Sequence, residues 1–172
     1  MSEAPASELV MARSTRLALL KPSELEDYVS EGSDFAAKVG FCSGFDSAHF
    51  ITTWSGAIRN GIGFINARLS YGVDGLLSIG MKEAIGVMLY PDAFDGARVA
   101  AIMFWYHSGD ASLAAGRLFA DTIQKISESG ARRVYYASLV TPRFPWVANV
   151  LHKAGFRALE VTYVKDLCQP SQ

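Results

Sequence analysis

The stretch Phe104-Trp-Tyr-His-Ser-Gly-Asp-Ala-Ser-Leu-Ala-Ala-Gly-Arg117 decides the fold. It closes a near-continuous apolar run, Val99 to His107, of the kind a central strand shows. It then opens a helical pattern from Leu113 to Ser129, with Leu118 or Phe119, Ile123 and Ile126 inward and Gly130 where a left-handed cap is wanted. Between strand and helix stand Gly109, Ala111, Ser112, Ala114, Ala115 and Gly116. Small side chains let a ligand approach the backbone, and a helix start offers unpaired N–H groups and a partial positive charge suited to a pyrophosphate. The same composition also serves a tight turn packed against a sheet, so both readings stand at this level.

Downstream, Arg132 to Val140 reads as a strand, and a strand–helix–strand connection of this length crosses right-handed, which makes it parallel to the one before. Pro145 opens a last helix with Val147, Val150, Leu151 and Ala154 on one face and Gly155 as its stop. A final strand is expected over Arg157 to Leu167. Upstream, two apolar runs, Leu76 to Met81 and Ala84 to Tyr90, meet at Lys82-Glu83, which predicts a hairpin with both charges outside. The turn from Pro91 to Gly96 then leads into the strand at Val99, for three adjacent antiparallel strands. Ile62 to Leu69 carries no decisive period. Before it, Ser47 is expected to cap a helix that buries Phe50, Trp54 and Ile58 on one face and ends at Asn60-Gly61. Nearer the start, Arg16 to Leu20 reads as a strand, and Ser23 with Glu26 fits a capping box.

The expected organisation is a flexible arm over residues 1–14, a single domain over 15–168 and a short tail over 169–172. With 172 residues, half of them apolar, the chain can bury one sizeable core. The net charge is −1 and both signs are dispersed, so neither nucleic acid nor an anionic membrane surface is an expected partner. Cys42 and Cys168 lack neighbouring ligands at metal-binding spacing, so no metal is expected. The start carries no basic segment followed by an apolar run, and the reading is cytoplasmic.

This order of elements resembles the second half of the GNAT family of N-acetyltransferases over about residues 76 to 167. The ending from His152 to Leu167 resembles phage-encoded members. The resemblance implies an α/β (α+β) fold with a mixed, mostly antiparallel central sheet and helices on both faces. It also implies acetyl-CoA as co-substrate and an amine as acceptor. The strand end, Trp105, Tyr106 and His107, would align the pantetheine arm, and Ala111, Ser112, Leu113, Ala114, Ala115, Gly116 and Arg117 would hold the pyrophosphate. The family's loop pattern is an Arg or Gln, two variable residues, Gly, one variable residue, then Gly or Ala; here Asp110 or Ala111 takes the first position and Leu113 stands where glycine is usual. Asp110 would repel a phosphate unless it caps the helix.

Transfer to an amine needs a base for the ammonium and an acid for the leaving thiolate. The family's strand Glu has no counterpart in Val99 to Tyr106, and its last-helix Tyr falls at Leu151. His107 is the substitute base, Tyr106 the substitute acid, and Ser138 could position water or the amine. Each also has an ordinary structural role, as do His49, His152 and Glu83, the last assigned to the exposed hairpin. Two functional expectations follow. One is an acetyl-CoA-dependent N-acetyltransferase. The other is an inactive GNAT-like binding or structural protein whose partners would be other subunits, for example in a phage virion.

Overall fold

The structure, a computed structural model, describes residues 14–30, 33–39, 45–72, 75, 78–108, 113–136 and 144–157. The chain divides into two compact units, Met1–Ala137 and Ser138–Gln172. The first holds strands β1 (Ser14–Leu19), β2 (Gly63–Tyr71), β3 (Ser78–Pro91), β4 (Arg98–His107) and β5 (Arg133–Tyr136). It also holds helices α1 (Leu25–Tyr28), α2 (Asp34–Val39), α3 (Ser47–Arg59) and α4 (Leu113–Glu128). The strands form one sheet in chain order, antiparallel from β1 to β4, with β5 parallel to β4 as the crossover rule requires. This is the expected mixed, mostly antiparallel sheet.

Helices cover both faces. On one, Leu25, Val29, Phe35 and Trp54 of the α1–α3 layer pack on Ile65, Ala67, Leu69, Met81, Ala84, Phe104 and Tyr106. Phe35 sits at the centre, its ring 5.1–5.5 Å from those of Phe50, Phe104 and Tyr106. Such edge-on and tilted contacts are the favourable aromatic geometries. Gly86 lies directly opposite Phe104, and a Cβ on it would overlap the Phe104 ring, with Cζ only 2.6 Å away. Glycine here gives the ring its seat. On the other face, Trp105 stacks on Phe119 of α4 at 5.2 Å, and Asn66 donates from Nδ2 to Asp121 Oδ2 (2.8 Å) and Thr122 Oγ1 (2.9 Å). Leu118, Phe119 and Ile126 of α4 are buried as their spacing predicts, and Gly130 takes φ 81° beyond the helix end.

Several expectations change. No hairpin breaks the chain at Lys82-Glu83: β3 runs unbroken, and Lys82 is the extra residue of a bulge, since Arg68 pairs with Glu83 and Leu69 with Met81. A second bulge at Met103 separates the pairs Gly86–Phe104 and Val87–Ile102. The uncommitted stretch from Ile62 becomes β2. The caps shift by a residue or two. Glu24 Oε2, not Glu26, accepts a backbone N–H, that of Lys21 at 2.7 Å, and Asp46 rather than Ser47 caps α3 through His49 N at 2.9 Å.

The second unit contains α5 (Phe144–Lys153), with Pro145 in its first turn. It closes at Gly155 (φ 85°), where the Gly155 and Phe156 N–H groups donate to His152 O and Leu151 O. His152 and Lys153 are exposed, as expected. The proposed final strand beyond Arg157, Ser138 and both cysteines lie outside the described residues. Among the described residues no helix is long and apolar enough to cross a membrane, and no His, Cys, Asp and Glu cluster could hold a metal.

Candidate active site

Strand register sets the site. Arg68, Glu83 and His107 stand directly opposite one another on β2, β3 and β4, forming a row across three strands. Two residues before Arg68, Asn66 bonds to α4, and two before His107, Trp105 stacks on α4, so the row lies on the α4 face. The bulge at Lys82 is what allows this. Met81 joins the aromatic core on the opposite face, yet Glu83, two positions on, turns toward α4, which an unbroken alternation would forbid.

Glu83 has no exposed side-chain surface. Arg68 Nε donates to its Oε2 at 2.9 Å, and His107 Nε2 lies 2.8 Å from its Oε1. At that separation two lone pairs would repel, so a proton lies between the two atoms, although the contact falls short of hydrogen-bond geometry. His107 keeps 15% of its side chain exposed and Arg68 19%, so the carboxylate is sealed while its partners reach the rim. The Ser108 N–H donates to Lys82 O at 2.9 Å and fastens the chain immediately after His107 to the bulge.

Tyr106 points the other way. Its hydroxyl donates to Asp34 Oδ2 at 2.7 Å. Burial foremost, then the Asp34 carboxylate, pushes the phenol well above its ordinary range, so it gives up its proton less readily than a free tyrosine. Asp34 is held below the usual carboxylate range by that same hydroxyl and then by Lys38, whose Nζ is 3.0 Å away. The two sequence candidates His107 and Tyr106 therefore sit on opposite faces.

Of the residues expected at the helix start, Leu113 and Ala114 open α4, Ala115 is fully buried, and Gly116 and Arg117 are exposed. Among the described residues a Cβ at Gly116 would meet nothing within 4 Å, so none of their packing requires glycine there. Ala111 and Ser112 lie outside the described residues. Trp105 is half-buried on α4.

Glu83 and Arg68 are the site residues that the sequence reading missed. A usable signal existed: Lys82-Glu83 contains none of the Gly, Asn or Asp that a two-residue hairpin turn needs, which argues for one long strand.

No protein-family model and no curated protein sequence matches the chain. Solved structures do match its fold. A ribosomal-protein-alanine N-acetyltransferase from Brucella melitensis biovar Abortus 2308 is 13% identical, with 90% of this chain and 100% of that one covered at a TM-score of 0.62. An aminoglycoside acetyltransferase from an uncultured soil metagenomic sample, in complex with trehalose, is 13% identical over 90% and 97% at 0.65. A GNAT family acetyltransferase from Staphylococcus aureus subsp. aureus USA300_TCH1516 is 13% identical over 90% and 99% at 0.62. The fold is that of the GNAT acetyltransferases.

Proposed function

We propose that this chain is an acetyl-CoA-dependent N-acetyltransferase acting on a small or terminal amine. The observation that carries the reading is the β4–α4 unit. A strand ending at His107 leads, after residues 108–112, into a helix whose second turn exposes Gly116 beside the cation Arg117. Glycine within an exposed helix costs about 1 kcal/mol relative to alanine. At Gly116 no contact among the described residues offsets that cost, and an open backbone near a helix start fits a pyrophosphate. The α4 N–H groups and Arg117 would hold acetyl-CoA, which when bound supplies an acyl thioester. Ala115, being buried, would contribute backbone only. His107, at the strand end, would take the proton of the acceptor ammonium.

The second reading, a chemically silent member serving as a subunit of a larger particle such as a phage virion, draws on the missing carboxylate in Val99 to Tyr106. Glu83, reaching His107 from the adjoining strand, weighs against it.

Acetyl-CoA should raise the melting temperature by a few degrees, since a ligand of the folded state stabilises it by mass action. Gly116→Glu, which adds bulk and negative charge at an exposed site, should abolish that shift without lowering the melting temperature of the free protein by more than a degree or two. Thiol release with a panel of amines then reads turnover. No shift at saturating acetyl-CoA rules the enzyme out; a shift without thiol release selects the second reading.

A further inference from the structure

Among the described residues Glu83 is the acid with no exposed surface, in a strand whose neighbours on the same face, Ile85 and Val87, are equally buried and apolar. A third branched aliphatic residue there would serve stability at least as well, because a buried ion pair seldom outperforms well-packed hydrocarbon. The carboxylate is nonetheless sealed in, compensated by Arg68, and its other oxygen faces the one ring at the end of β4. Resting on the N-acetyltransferase reading, we propose that Glu83 is the positioning residue for His107 in acyl transfer, fixing the imidazole through Nε2 and balancing the charge it acquires.

In that step an N–H bond of the acceptor ammonium breaks and its proton passes to the imidazole, directly or through one water. The freed lone pair forms the bond to the thioester carbonyl carbon; the C–S bond breaks, and the thiolate leaves with that electron pair and takes up, through water, the second proton that the attacking nitrogen sheds as the amide forms, while the imidazolium returns its own proton to solvent. The imidazolium is then flanked by a carboxylate 2.8 Å away, which cannot relax because Arg68 and the strand pin it. Arg68 has the complementary task of compensating Glu83 when the imidazole is neutral. Asp121 of α4, on the same face of the sheet, is engaged by Asn66 and Lys125.

Two measurements on the full chain test this. The first is independent of activity: nitrogen-15 NMR of His107, on the neutral side of its titration, should show the proton on Nε2 in the wild type, and Glu83→Gln should redistribute it. A proton found on Nδ1 in the wild type overturns the proposal. The second is kinetic, with acetyl-CoA and whichever of spermidine, an aminoglycoside or an alanine-terminated peptide turns over. Glu83→Gln and His107→Asn should each lower kcat about 100-fold. The KM for acetyl-CoA should stay within about twofold, as for an interaction made in the transition state. The double variant should fall no further than His107→Asn alone, because residues acting as a unit are not additive. An active wild type with Glu83→Gln at full kcat overturns this proposal alone, whereas a wild type that neither binds acetyl-CoA nor releases thiol overturns it together with the parent reading. Should Glu83→Gln fail to fold, the wild-type tautomer and His107→Asn decide the matter.

Discussion

Two neighbouring rows of the same three strands make opposite use of the sheet. Ala67, Ala84 and Tyr106 stand in register on the α1–α3 face, where two methyl groups leave room for the rings around Phe35. One position along, Arg68, Glu83 and His107 stand in register on the α4 face and fill the space with charge. Both rows are dry. The first holds by contact area, which tolerates many side chains of the right volume; the second holds by pairing, which tolerates none of its members being lost singly. The contrast separates what keeps this molecule folded from what we propose it does.

The comparison can be broken from the apolar side first. Phe35→Ala, at a residue 2% exposed and ringed by aromatics, should cost about 4 kcal/mol in denaturant unfolding. A loss under about 1 kcal/mol would mean that the α1–α3 layer collapses onto the sheet without it. On the polar side, Glu83→Ala should cost about 3 kcal/mol, less than for a wholly buried pair because Arg68 retains some exposure. Replacing the row together, Arg68→Met with Glu83→Leu and His107→Leu, should bring stability back to within about 1 kcal/mol of the wild type while leaving no turnover. If the triple variant is less stable than Glu83→Ala, the row is structural and the contrast fails.

Gly86→Ala tests the seat beneath Phe104. Its methyl group would displace a ring already packed on Phe35 and Trp54, for a loss of about 2 kcal/mol. Smallest is Tyr106→Phe, which removes the hydroxyl from a largely solvated Asp34 and should cost below about 1 kcal/mol. Its sign with pH is fixed. Asp34 has a depressed value in the folded state, so its stabilisation is complete above the ordinary aspartate range near 3.8 and is lost as pH falls through the lower folded value. Urea unfolding at neutral and at acid pH should therefore show the gap between wild type and variant closing in acid.

What could be read from the sequence was whatever short-range patterning controls. The strand at Val99, α4 with its inward Leu118 and Ile126, and the stop at Gly130 all follow from period and cap chemistry, and β5 follows from the handedness of crossovers. The continuity of β3 was legible, but the burial of Glu83 was not. Its burial depends on Arg68, fifteen residues before it, and on His107, far after it, and on one extra residue in the ladder that reverses the facing of a strand. Local polarity then argues for solvent, although the pairing that overrules it is distant in sequence. His107 was singled out because it ends a strand; the carboxylate beside it was not.

Strand order matches chain order, and every antiparallel neighbour precedes the next along the chain. During synthesis the ribosome therefore releases Arg68, then Glu83, then His107, and α4 only afterwards. The three groups can find one another while water still bathes them, before α4 emerges to cover that face of the sheet.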